Sequence, residues 1–172
     1  MSHRLVAFYL GTGRDDRGRS FEDILSFTFE ELEYVHDYIQ WLFPLLEHSG
    51  ANPTAPVLDD YSVVSFRRNP QLRRNVRRAL ELMLAFYGLQ VSQKNGTVVI
   101  HQTASFDERA SNWLLPGSHN FLRLTRILKC LSILNASELA RALLDCLVAI
   151  DDAHPGIIPD RTIEYWRSAV SP

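Results

Sequence analysis

The stretch from Ser118 to Leu134, SHNFLRLTRILKCLSIL, limits the possible folds more than any other part of the chain. At about 100° per residue, Leu124, Ile127, Leu128, Leu131 and Leu134 make one apolar side of a helix, while Leu122, Cys130 and Ile133 put apolar groups on much of the other. A helix apolar nearly all round is expected to be buried, with the rest of the chain packed around it. Yet His119, Arg123, Arg126 and Cys130 share a sector of roughly 60° on the same wheel. Charge inside such a helix needs either ion-pair partners or a cleft.

The flanking sequence supplies further helices. RLVAFYL is a short apolar segment, and Gly13 to Arg19 is a polar loop, expected to be mobile. Ser20 with Asp23 can cap a short helix, and Thr28 with Glu31 forms a capping box opening one helix through TFEELEYVHDYIQWLF to Pro44. Asp59 or Asp60 caps a short helix toward Arg68. Pro70 then starts a long amphipathic helix that Gly88 stops. The β signal is LQVSQ and TVVIH around Lys94-Asn95-Gly96, a tight hairpin. Ser105 with Glu108 marks another capping box. Ser137 caps a helix from Glu138 to Ile150, expected antiparallel to the Ser118–Leu134 helix, and Asp160 begins a last one. The expected fold is mainly α: a helical bundle of about seven to eight helices with one short β-hairpin near residues 89–101.

At 172 residues with 46% hydrophobic content, the chain suits one domain over residues 1–172, because two halves would each bury too little. The net charge of -2 argues against a general nucleic-acid or anionic-membrane binder, since that binding needs surplus Lys and Arg. No apolar run approaches the roughly 20 residues that span a bilayer, and no leader-like segment opens the chain, so the reading is a soluble, non-secreted protein. Cys130 and Cys146 sit within helical apolar patterns and are expected reduced. HExxH, CxxC, GxxxxGK[ST] and GxSxG are all missing, so neither a metal nor a cofactor is expected.

Three groups of residues invite function. Arg67, Arg68, Arg73, Arg74, Arg77 and Arg78 form a basic run whose last four members share a helix face; a solvated face countered by Glu81 and nearby acids is the plain interpretation, a nucleic-acid adaptor the sharper one. No aromatic residues interleave with these arginines to stack on bases. His36 stands at the margin of its helix beside Phe29 and Phe43, with Gln40 in the adjoining polar strip, as a core-edge histidine or a general base. His119, Asn120, Arg123 and Arg126 begin the Ser118–Leu134 helix, where amide donors and guanidinium groups suit a carboxylate or phosphate. The structural alternative pairs Arg123 or Arg126 with Asp37, Glu33 or Asp107. Removing one partner from such a buried pair costs roughly 3–5 kcal/mol.

The pieces YIQWLFPL (residues 38–45), LMLAFYGL (residues 82–89) and HNFLRLTRILKCL (residues 119–131), in this order, resemble the conserved region of opioid growth factor receptors over about residues 8–166. That resemblance implies an all-helical domain in a family named for a receptor of an enkephalin peptide, whose animal members are associated with the nuclear envelope and nucleus and extend past the domain with C-terminal repeats. This chain is read as a stand-alone version, cytoplasmic if bacterial. His36, Tyr38, Gln40, Trp41, His119, Asn120, Arg123, Thr125, Arg126 and Lys129 fall in the matching motifs, and no catalytic residues come with them. The expected function is a non-enzymatic binding module for a peptide or small anionic ligand, with His119, Asn120, Arg123, Arg126, His36 and Gln40 lining a cleft shared by the two motif helices. An enzyme using His119 or His36 with an Arg-held anionic substrate is the alternative. A nucleic-acid adaptor using Arg73, Arg74, Arg77 and Arg78 is the third reading.

Overall fold

The computed structural model describes residues 4–170. Among them lie ten helices and one two-stranded antiparallel sheet, in the order α1 (Arg4–Tyr9), α2 (Phe21–Leu25), α3 (Phe29–Tyr34), α4 (Ile39–Leu42), α5 (Asp60–Arg68), α6 (Pro70–Tyr87), β1 (Leu89–Lys94), β2 (Thr97–Gln102), α7 (Phe106–Trp113), α8 (Asn120–Ile133), α9 (Ser137–Ala153) and α10 (Asp160–Val170). The fold is mainly α with one hairpin, as the sequence pattern implied, and no described helix is long and apolar enough to cross a membrane. Two compact units divide between Leu82 and Met83, inside α6.

The first unit is built on aromatic side chains. Phe8 meets Phe21 and Trp41 with ring centroids 5.7 and 5.0 Å apart, and Tyr9 meets Phe66 edge-on at 4.8 Å. All five rings are buried. Such pairs contribute about 0.5–1.5 kcal/mol each beyond the area they bury. Capping boxes at Ser20, Thr28 and Asp59 start α2, α3 and α5, satisfying amide donors that each helix leaves open.

The single helix expected from Thr28 to Phe43 is two helices. Val35 takes an extended conformation (φ -86, ψ 127) and ends α3. Tertiary bonds explain why the break is tolerated: the Tyr38 hydroxyl donates to the Leu32 carbonyl at 2.8 Å, Asn52 Nδ2 donates to the Asp37 carbonyl at 3.3 Å, and the Asp37 carboxylate accepts from two arginines. The apolar period ran on through the break, which is why periodicity alone joined the pieces. Residues 13–19, expected to be a mobile loop, are tied down. The buried Asp15 carboxylate accepts from the Arg17 and Arg19 amides at 2.9 and 2.8 Å and from Arg19 Nε at 2.6 Å.

In the second unit α8 buries Leu124, Ile127, Leu128, Cys130 and Leu131. Its apolar character is not all covered, because Leu122 is 75% exposed. Asn135 in the left-handed region (φ 62) ends α8, with the Ala136 amide bonded to the Leu131 carbonyl at 2.8 Å and the Asn135 amide to Ser132 at 3.1 Å. That tight link brings α9 against α8. α10 packs on both, its Trp166 Nε1 donating to Thr125 Oγ1 at 2.9 Å. α9 begins without a side-chain cap, so Ser137 is its first residue rather than its cap. Ser105 does not cap α7 either; its hydroxyl pairs with Thr103 Oγ1 at 2.9 Å. Cys130 and Cys146 are free and buried, and burial pushes the Cys146 thiol up to about 11.

β1 and β2 pair from Leu89↔Gln102 to Lys94↔Thr97, turned by Asn95 (φ 52) and Gly96 (φ 79). Gly88 joins α6 to β1 at φ +78, and a Cβ there would lie 2.7 Å from Phe106 Cα. Conformation and space both exclude a side chain. Gly88→Ala is expected to destabilise the protein by more than about 1 kcal/mol, read as a lower urea midpoint at unchanged slope.

Candidate functional site

Each motif is described within its own unit. In the second, His119 is exposed, Arg126 half-buried, and Asn120 and Arg123 buried at 0% and 5% exposure. Asn120 Oδ1 accepts from Arg123 at 3.3 Å and from the Tyr87 hydroxyl at 3.4 Å. This small network fixes the first turn of α8 against the end of α6. The amides expected to await an anion are partly engaged: Asn120 N bonds Ser118 Oγ at 3.3 Å, and the Phe121 and Leu122 amides bond the Ser118 and His119 carbonyls at 3.2 Å each. Side chains, more than the helix end, therefore define what this corner can hold. Arg126 also places positive charge near Cys130, whose thiol is pushed far up by burial and only partly drawn back by that charge.

In the first unit, His36 is exposed in the segment between α3 and α4, where the expected helix breaks. Gln40 is buried on α4 at 5% exposure. Its Nε2 reaches Ser49 Oγ at 3.5 Å, a long contact, and its buried Oε1 accepts no hydrogen bond among the described residues. Leaving a buried acceptor unmatched costs about 1–3 kcal/mol. Trp41, next to Gln40 on α4, and Asp37, in the segment before α4, line a polar cleft of about 170 Å³ with Asp16, Arg17, Arg19, Asn52 and Thr54.

The charges of this cleft are arranged in pairs. Asp37 accepts from Arg17 Nε at 3.0 Å and Arg19 at 2.7 Å, and Arg19 also holds Asp15. Arg4 bonds Asp16 at 2.5 Å and lies 5.2 Å from the Trp41 ring centroid. Burial alone would raise the Asp37 carboxyl, but the bonds and charges of Arg19 and Arg17 outweigh it and hold the pKa below the usual carboxylate value. Burial alone would lower the Arg19 guanidinium, but its bonds to Asp37 and Asp15 and their charges outweigh it and raise the pKa. Asp37, one of the acids singled out in the sequence, is held by Arg17 and Arg19. The run GTGRDDRGRS carried the only sequence signal of this cleft, its alternating charges, and lacked the context of a phosphate loop.

The basic face is partly neutralised. Arg78 makes a two-toothed bond to Glu22 at 2.6 and 2.8 Å, and Arg77 bonds Glu81 at 2.9 Å. Arg73 is turned back to the Arg67 carbonyl at 2.7 Å, which leaves Arg74 as the member of the four making no such contact among the described residues. No group of three or more His, Cys, Asp or Glu positioned for a metal occurs among the described residues.

With the fold and these sites in hand, comparison with known proteins gives one family. Residues 7–171 match the model of the opioid growth factor receptor (OGFr) conserved region. Over 117 residues, 66% of the chain, it is 44% identical to the mouse protein named opioid growth factor receptor and 41% identical to the human one, covering 18% and 17% of their lengths. It is 39% identical to the Xenopus tropicalis opioid growth factor receptor-like protein 1, covering 22% of it. The chain thus spans about a fifth of the length of these relatives. No solved structure matches it.

Because the folded pKa of Asp37 is depressed, its contribution to stability is present above the unfolded value of about 3.9 and is lost as the pH falls through the folded value. Denaturation midpoints measured from pH 7 down to 2 are expected to fall in the acid range. Asp37→Asn should lower the midpoint at pH 7 and flatten part of that acid limb.

Proposed function

Because the chain belongs to the opioid growth factor receptor conserved-region family, we propose that it is a binding module whose ligand is a peptide or a small anion. The relatives are named as receptors, and the present chain covers only the part of them that matches. The observation that supports a ligand most directly is the Gln40 carboxamide: a buried acceptor without a donor, on the helix formed by the YIQWLFPL motif. A peptide offers N–H donors for it. The adjoining cleft presents guanidinium, carboxylate and amide groups together, the mixture that suits a ligand carrying both signs of charge. His119 and Arg126 offer a second polar corner in the other unit, one that favours a carboxylate or phosphate. The paired arginines of α6 give less support to nucleic-acid binding.

Thermal unfolding with an enkephalin-like peptide and with inorganic phosphate tests this reading. A ligand at a hundred times its Kd stabilises by about 2.7 kcal/mol, a shift of several degrees in Tm. Gln40→Met should leave the unliganded Tm unchanged or slightly higher, since it removes an unmatched acceptor, and should abolish the peptide shift. Arg126→Ala should weaken the phosphate shift while unliganded stability holds. If neither probe raises Tm, the binding-module reading falls. If Arg126→Ala instead lowers unliganded stability by several kcal/mol, Arg126 is a structural ion-pair residue.

A further inference from the structure

α5 carries a stripe of side chains that the core does not use. Of its nine residues, Ser62 and Phe66 are buried, Phe66 against the Tyr9 ring. Tyr61, Val64, Ser65 and Arg68 stand three and four residues apart, which on an α-helix puts them on one side. All four line a shallow, open groove of about 560 Å³. Facing them are Val6 of α1, Leu10 just past its end, and Leu72 near the start of α6. Val6 and Leu72 are buried, whereas Tyr61 is 57% and Val64 46% exposed. A single exposed apolar residue is ordinary on a protein surface, but two that border one apolar concavity make the kind of patch that partners cover. The groove lies wholly in the first unit and shares no lining residue with the Asp37 cleft.

Shape and charge select the occupant. Seven residues separate Tyr61 from Arg68, about 10 Å of helix or two turns. No strand lies in this unit among the described residues, so an extended peptide would find no backbone partner here. A helix satisfies its own backbone and offers apolar side chains at the matching spacing. Charge changes sign along α5: Asp59 caps it and Asp60 begins it, while Arg67 and Arg68 end it, and Arg73 reaches back to the Arg67 carbonyl. Arg68 is exposed, borders the groove, and makes no ion pair or side-chain hydrogen bond among the described residues. Arg77 and Arg78 on α6, by contrast, are held by Glu81 and Glu22. The groove thus has an open guanidinium at one end, which favours a carboxylate and repels a cation.

We propose that this groove docks an amphipathic helix of a partner protein. Two turns of that helix lay apolar residues at i, i+3 or i+4, and i+7 on Val6, Leu10, Tyr61 and Val64, and an aspartate or glutamate meets Arg68. Apolar burial gives the affinity, and the carboxylate fixes which end of the helix lies at the α5–α6 junction. The surface is separate from the ligand positions proposed above and stands whether or not they hold.

The test uses a capped fluorescent peptide of about 15 residues, long enough to form helix, with leucine at i, i+4 and i+7 and glutamate at one end, beside a counterpart with lysine in place of glutamate. The glutamate peptide should bind by anisotropy, gain helical circular dichroism on binding, and shift the methyl resonances of Val6, Leu10 and Val64. The lysine peptide should bind roughly tenfold more weakly or worse. Tyr61→Ala should weaken the glutamate peptide roughly tenfold, and Arg68→Glu should reverse the preference between the two peptides. Both side chains are exposed, so neither variant should change the unliganded Tm appreciably. Gln40→Met, which alters the other site, should leave this binding as it is. The proposal is overturned if the glutamate peptide fails to bind, or binds with no response to Tyr61→Ala and Arg68→Glu. It is equally overturned if these variants instead abolish a dimer seen in sedimentation, which makes the occupant a second copy. Loss in both variants of binding to phosphatidylserine vesicles, with no peptide binding, assigns the surface to a membrane and overturns it too.

Discussion

Carbonyl oxygens stranded at the ends of short helices set the main physical constraint on this fold. A helix leaves its last carbonyls without intrahelical donors, and a chain with many short helices leaves many of them near the core. Side chains close these gaps one by one. The Tyr9 hydroxyl donates to Leu42 at the end of α4, Asn75 Nδ2 to Tyr9 at the end of α1, and Tyr38 to Leu32 near the end of α3. In the second unit, Trp113 Nε1 donates to Tyr87 and Arg109 Nε to Phe86 where α6 ends. Buried tyrosine and tryptophan thus supply both apolar area and the donor that permits a helix to stop inside the protein.

The same logic explains the charged residues. Asp15 is buried because two backbone amides and a guanidinium meet it, and Asp37 stays ionised below the usual range because two arginines reach it. These bonds turn a Gly- and Arg-rich segment into one wall of a cleft. Gln40 stands apart from this pattern: its carbonyl oxygen is buried, and no described group donates to it. Most buried polar side-chain atoms of folded proteins find a partner, and among the described residues this oxygen is the exception.

Much of the architecture was legible from local pattern. The capping boxes at Ser20 and Thr28, the Asp59 cap, Pro70 and Gly88 around α6, and the Asn-Gly hairpin stand where the residues implied. The errors share a cause. Val35 was assigned to a helix by its apolar period, and Ser105 to a cap by its spacing from Glu108. Each was redirected by residues near or far in sequence, Tyr38 and Asp37 in one case and Thr103 in the other. Leu122 reads as core by composition, yet it is exposed. The candidate residues divide similarly: Asn120 and Arg123 lie buried in a polar network, His119 and His36 lie at the surface, and the pairing of Arg17 and Arg19 with Asp37 could not be read from spacing because α2 and α3 separate them along the chain.

The sequence by itself determined the helical class, the hairpin, the starts of most helices and membership in the opioid growth factor receptor family. The first three follow from periodicity, caps and turns, whose energies are local to a few residues, and the last from the likeness of its motifs to those of the family. Only the tertiary structure decided where the motif helix breaks, which acids hold which arginines, and which amide donors of α8 are engaged. These depend on distant groups competing for the same hydrogen bonds, and no spacing along the chain records the outcome.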